Sequence, residues 1–391
     1  MQRFSNFTRA AAGLLSLAMM APGLTKAQAT HDKQASSISN KSAIVKTLRV
    51  ANNYFMDKWQ DVGKIIYVPS KKKSWPSHIW TRAVYYEGLM AFHKIDPNPT
   101  YIKYAMDWGN AHHWSLRDGN TTRNADNQCA GQTYIDLAIL KKDTALMSNI
   151  KATIGNMLAT DKIDDWSWVD AIQMGMPVFA KLGKITGDQK YYDRMWQMYH
   201  YTRSELNKIG LFDTKTGLWW RDKDFMPPYK EPNGEDCYWS RGNGWVAAAL
   251  VRVLNELPKN APHYKDYLQD YIMMMHAILK YQDPKGYWNV SLADPTHFGG
   301  KELTGTALFT YAMAWGVNNG YLKKARYLKP ISLAWQSLVS CVHPNGFLGY
   351  VQGTGKEPKD SQPVGYDHQP DFEDFGLGCL LLAGSELYKL N

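Results

Sequence analysis

Two carboxylates and one arginine motif carry most of the chemistry that the sequence offers. Asp170 follows Trp166 and Trp168 in "WSWVD" and stands directly before an apolar segment. Indole faces around it would desolvate the carboxyl and raise its pKa, leaving a proton available for general acid work. The competing role is ordinary, because Asp before a helix is a favoured N-cap. Asp126, in "NADNQ", occupies an equivalent turn and has the same competing role. Glycoside cleavage usually needs two carboxyl groups, so the pair says more than either residue. The third signal is Arg241-Gly242-Asn243-Gly244-Trp245. Its glycines allow close backbone approach, and Arg241 and Trp245, four apart, share a helix face. Arg suits a substrate carboxylate and Trp a sugar ring, with helix-start packing as the alternative.

Other residues at such turns complete the inventory: Trp239 before the motif, Thr304 in "GGKELTG", and Glu373 and Asp374 in "DFEDF". Trp220 and Arg221 lie in "LWWRD", a strand-like stretch after "GLF". The intervening "DTKTG" (213–217) has too few acids for a calcium loop and reads as a turn between two short strands. No HExxH, GxSxG or P-loop occurs, and the histidines are scattered. Cys129, Cys237, Cys341 and Cys379 are far apart and form no CxxC pair, so buried thiols are expected ahead of a zinc site. Neither a metal nor a cofactor is implied.

The elements that must position these groups are helical. Six apolar segments begin at Thr81, Cys129, Asp170, Arg241, Thr304 and Asp374. Six amphipathic ones alternate with them: 41–59, from Tyr101, 144–158, from Gln189, from Tyr264 and from Tyr327. A helix apolar all round must be buried, so the first set should form an inner ring and the second should cover it. Hairpins that cannot bury their own faces must stack on neighbours. The expected fold is all-α, an (α/α)6 barrel of six hairpins, with an open solenoid as the alternative. The N-terminal ends of the inner helices would then meet at one mouth, with the chemistry gathered there.

Composition agrees with a large folded enzyme. Of 391 residues, 45% are hydrophobic and 13% aromatic, including 15 Trp, which excludes a disordered or collagen-like chain. Residues 1–29 read as a signal peptide. Arg3 and Arg9 precede the apolar run "AAAGLLSLAMMAPGL", and Ala27-Gln28-Ala29 has the form of a cleavage site. Cleavage after Ala29 would send the protein to the periplasm or the medium. It would remove three basic residues and no acids, lowering the formal charge from +9 to +6. That balance fits an acidic substrate, while the short run Lys71-Lys72-Lys73 and the lack of a known motif disfavour nucleic acid. No later stretch is long and apolar enough for a membrane span, so the mature form is expected off the membrane. Residues 30–40 read as a flexible lead-in and 41–391 as one domain. Oligomeric state is not legible.

"ADNQCAGQTYIDL", "WSWVDAIQMGMPVFAKLG", "YWSRGNGWVAAALVRVLNELP", "TGTALFTYAMAWGVNNG" and "GFLGYVQ", with the closing "LLLAGSELYKL", together resemble glycoside hydrolase family 105. That family comprises the unsaturated rhamnogalacturonyl and related uronyl hydrolases, cousins of the family 88 unsaturated glucuronyl hydrolases. The resemblance runs in order from about residue 40 to the C-terminus and implies an (α/α)6 barrel. It implies Asp170 as general acid/base, Asp126 as the second acid, and Trp168, Arg241 and Trp245 as holders of the sugar. The implied substrates are lyase-generated oligosaccharides, as from pectic rhamnogalacturonan, ending in a Δ4,5-unsaturated uronic acid. The implied reaction hydrates the C4=C5 vinyl ether without metal or cofactor. One departure stands out: where many members have a His-Gly-Trp-Asp element, this chain has Trp219-Trp220-Arg221-Asp222. Either Arg221 takes over the histidine's contact or the chain serves another uronyl linkage, such as β-glucuronyl.

Overall fold

The computed structural model describes residues 40–390, so the leader and all but the last residue of the lead-in lie outside the described residues. Among the described residues twelve α-helices alternate between an outer and an inner ring. The outer helices are α1 (Lys41–Lys58), α3 (Pro99–Ala111), α5 (Ser148–Leu158), α7 (Gln189–His200), α9 (Tyr264–Ile278) and α11 (Lys324–Val339). The inner ones are α2 (Trp80–Ile95), α4 (Ala125–Lys141), α6 (Val169–Thr186), α8 (Ser240–Glu256), α10 (Leu303–Asn318) and α12 (Asp374–Leu387). The alternation read from the sequence is therefore realised.

Packing follows the hydrophobic pattern. In α6 every residue from Val169 to Gly183 is buried, and in α10 every residue from Leu303 to Gly316. In outer α7 only Tyr191, Tyr192, Met195, Met198 and Tyr199 are buried, one stripe facing inward. Each inner helix packs on the next, and α12 packs on α2, which closes the ring and excludes the open solenoid. Gly88 and Gly378 make that closure possible. A Cβ on Gly88 would lie 2.5 Å from the Gly378 carbonyl oxygen, and one on Gly378 would lie 2.2 Å from that of Val84.

The two ends of the barrel differ. Connections from inner to outer helices are short, such as 96–98 and 187–188. Those from outer to inner helices are long: 59–79, 112–124, 159–168, 201–239, 279–302 and 340–373. All six long connections lead into inner-helix N-termini, so one face carries the irregular chain. Two hairpins stand on it. The pair β3 (Phe212–Asp213) and β4 (Leu218–Trp219) flanks the "DTKTG" turn as expected. The other, β1 (Ile66–Val68) with β2 (Lys73–Trp75), has no clear alternation and was not legible. Its Lys71 pairs with Asp371 at 2.7 Å, tying the first long connection to the last.

Candidate active site

Asp126 and Asp170 each occupy the second position of an inner helix, α4 and α6, and these helices pack side by side. Neither is an N-cap. Asn124 caps α4, accepting from the Asp126 N–H at 2.8 Å, and Trp168 precedes α6 without a side-chain cap bond. The capping alternative for both aspartates is thus excluded, and their carboxylates are left for other work at two positive helix ends. Burial first, and then the Asp170 charge, push the Asp126 carboxyl up to about 7, with Arg221 and Arg117 opposing. The Arg221 guanidinium lies against Asp170, Nε to Oδ2 at 3.2 Å. A carboxyl raised toward neutral pH beside a second carboxylate is a combination that suits acid/base chemistry.

Arg221 reaches Asp170 because its strand is pinned. Val169 donates from its backbone N–H to the Arg221 carbonyl at 2.9 Å, and Trp168 bridges to Asp222 in antiparallel fashion. The Arg221 Nη1 also donates to Asp222 Oδ2 at 2.6 Å. The region where the family histidine is missing therefore does supply a side chain to the carboxylate pair, and that side chain is Arg221.

The RGNGW motif has a different use from the one its composition suggested. Arg241 is 1% exposed, stacked between Trp239 and Phe375, and donates from Nη1 and Nη2 to the carbonyls of Gln352 and Gly353 at 2.6 and 2.8 Å. It holds the 340–373 connection down, and its burial keeps it from a substrate carboxylate. Its positive charge still acts on Asp170, Glu302 and Asp371 from behind the wall. Asn243 accepts from the Trp219 N–H at 2.8 Å and donates to the Trp219 and Trp239 carbonyls, each at 3.0 Å. It thereby fixes the strand that delivers Arg221.

The aromatic expectation also needs correction. Trp166, Trp239 and Trp245 are at most 1% exposed and Trp220 is stacked on Tyr238, so none presents a face to a ligand. They are wall because the long connections fold over them. Thr304 is equally enclosed, its N–H and hydroxyl both donating to Glu302 Oε1, which caps α10. Asp374 is paired with buried Arg82 at 3.0 Å, and Glu373 with Lys58 at 3.0 Å. Trp168 keeps open surface, as does Trp80, which packs edge-on to Trp245. Of the sequence-derived set, the structure gathers Asp126, Asp170, Trp168 and Arg221 at the mouth and places the others behind them.

A family model described as Glycosyl Hydrolase Family 88 matches residues 47–391. The chain belongs to glycosyl hydrolase family 88. It is 31% identical over 332 residues to a protein of Formosa agariphila named unsaturated 3S-rhamnoglycuronyl hydrolase, covering 80% of this chain and 84% of that one. Among solved structures, a family 88 glycosyl hydrolase from Bacteroides vulgatus superposes with TM-score 0.80 at 30% identity, covering 90% of this chain and 99% of its own. Another, described as a polysaccharide lyase, gives TM-score 0.81 at 30% identity, covering 90% of this chain and 98% of its own.

In this family 88 glycoside hydrolase, sequence reasoning missed the parts played by Arg117, Trp80 and Asn243. Arg117 lies close enough to oppose the rise of Asp126, yet "SLRDGN" carries no signal that would single it out. Trp80 stands just before the apolar segment that begins at Thr81 and was not singled out. Asn243 was visible between its glycines, but its bonds to the Trp219 backbone, 24 residues away, have no local pattern. The four cysteines are buried and unpaired. Among the described residues no helix is long and apolar enough to cross a membrane.

Proposed function

We propose that this enzyme removes a terminal Δ4,5-unsaturated uronic acid from oligosaccharides left by polysaccharide lyases. The observation that carries the reading is the carboxyl pair on neighbouring inner helices, one member pushed up to about 7, with a guanidinium on the other. A glycosidase acting on a vinyl ether needs one proton donor to carbon and one base for water, and needs no strong nucleophile at the anomeric centre. Asp170 protonates C4 and then, as a carboxylate, assists water in adding at C5. The hemiketal formed opens, and the glycosidic bond is lost with it. Asp126 stores the proton in the free enzyme. The substrate's carboxylate draws the Arg221 guanidinium to itself, removing the counter-charge from Asp170 and favouring transfer of the proton within the pair. Arg221 thus does the work of the missing histidine, with Trp168 beside the sugar.

Rhamnose is the partner sugar in this reading, supported by the name of the Formosa agariphila relative and by the motif resemblance. Pectic rhamnogalacturonan is one source of such ends, and unsaturated β-glucuronyl ends on another polysaccharide are the alternative. Export to the periplasm or the medium belongs to the same proposal and is supported by the signal-like sequence of residues 1–29.

The likeness to a chain described as a lyase makes lyase action the second reading. The two separate in one assay. A lyase creates the ultraviolet band of the unsaturated acid from intact polymer, whereas the hydrolase bleaches that band from lyase products. A panel of unsaturated oligosaccharides with saturated controls tests both. Bleaching confined to unsaturated ends is the expected result, and equal turnover of the saturated controls refutes hydration.

A further inference from the structure

A cavity of about 450 Å³ opens beside Asp170, within the size range of small-molecule sites (roughly 300–1,000 Å³). Ser167, Trp168, Tyr201, Asn207, Arg221 and Lys223 are among its lining. Arg221, which lines it, bonds Asp170 at 3.2 Å, and Trp168 lies two residues before that aspartate. Trp168 and Tyr201 both keep exposed ring surface, and a hydroxyl, an amide and an ammonium stand around them. Flat apolar faces ringed by hydrogen-bonding groups suit a pyranose, which has an apolar face and a polar rim.

The backbone of one wall is irregular where it faces this space. Helix α7 ends at His200, and the chain continues as a π-helical turn, Tyr201–Glu205. A short 3₁₀ turn follows, in which Asn207 and Lys208 have φ of 52° and 77°. π-turns gather at functional sites, and left-handed non-glycine residues persist only where their surroundings hold them. Here they are held from behind. Arg203 clamps Asp270 with two bonds of 2.6 and 2.7 Å, and the Thr202 hydroxyl donates to the Trp166 carbonyl at 2.5 Å. The segment is fixed to outer helix α9 and to the Trp166 turn, while Tyr201, Leu206 and Asn207 line the cavity.

We propose that this cavity is the subsite for the sugar on the leaving side of the scissile bond, an inference that rests on the unsaturated uronyl reading above. That sugar lies with its apolar face on Trp168 and Tyr201 and its hydroxyls toward Ser167 and Asn207. On the rim Asp164 is paired with Lys162 and Asp224 with Lys356, the Lys223 ammonium stands beside them, and Arg221 is engaged by Asp170 and Asp222.

The test compares two substrates, an unsaturated uronyl oligosaccharide and the methyl glycoside of the same unsaturated acid, which has no leaving sugar. Tyr201→Ala should raise KM for the oligosaccharide about tenfold and leave the methyl glycoside unchanged, while Tyr201→Phe behaves as wild type. Asn207→Gly, which suits the left-handed backbone, should raise the oligosaccharide KM severalfold and again spare the methyl glycoside. Equal effects on both substrates, or none on either, overturn the proposal. A wild-type enzyme that bleaches neither substrate defeats the activity reading. In that event saturation-transfer NMR with the uronyl-free saccharide still decides the subsite. Signal in wild type and none in Tyr201→Ala supports it, and equal or absent signals reject it.

Discussion

Replacing Asp126 by Asn tests whether the site stores free energy as an unfavourable charge. Burial and the neighbouring Asp170 raise this carboxyl from its ordinary 3.8 to about 7. An acid with a native pKa above its unfolded one binds protons more tightly when folded. Its stabilising contribution is complete below the unfolded value and is lost as pH rises through the native one. At 1.36 kcal/mol for each of roughly three pKa units, wild type loses about 4 kcal/mol between about pH 4 and pH 8 on this account. Asn keeps the shape and never ionises. The Asp126→Asn variant should match wild type near pH 4 and exceed its unfolding free energy by about 2–4 kcal/mol near pH 8. Urea titrations followed by Trp fluorescence across that range measure the difference directly. The same variant should lose at least about a hundredfold in kcat/KM, since the stored proton is gone. A stability difference that stays flat with pH refutes the reasoning, because a mere packing change has no reason to titrate.

Further outcomes follow from the supporting contacts. Arg221→Met should cost at least about a hundredfold in kcat/KM on unsaturated oligosaccharides, and Arg221→Lys should rescue little because one ammonium cannot hold Asp170 and Asp222 together. Steady-state kinetics on both variants checks this. Arg241→Met should act mainly on stability, by about 2–4 kcal/mol in urea, because two buried carbonyls lose their donors. Asn243→Ala should cost about 2–3 kcal/mol and lower turnover by loosening the strand that carries Arg221. Gly378→Ala should lower the urea midpoint without changing the pH profile of the remaining folded enzyme. The added methyl meets backbone at the α2–α12 seam, whereas the carboxyl pair stands on α4 and α6.

How much of this was legible varies by feature. The inner helices could be read because burial on all sides leaves an uninterrupted apolar composition, and the outer ones because one-sided burial leaves a 3.6-residue stripe. The two aspartates could be read because helix starts are local and the turns before them are conspicuous. The roles of Arg241 and the tryptophans could not. Arg241 spends its donors on Gln352 and Gly353, more than a hundred residues away, and no local pattern encodes a carbonyl that far along the chain. Likewise, four conspicuous tryptophans were read as ligand platforms, yet the long connections bury them as wall and leave only part of Trp168 and Trp80 open.

The sequence by itself determined the periodicity, the count of hairpins, the carboxyl pair and the family-like motifs. These depend on spacing within one turn or one helix. Tertiary structure alone decided that burial pushes Asp126 up and that Arg221 faces Asp170. It also decided which aromatic faces remain open. Proton affinity and access depend on burial and on charges from other helices, and those are set only when α12 closes on α2 and the six long connections fold across the mouth.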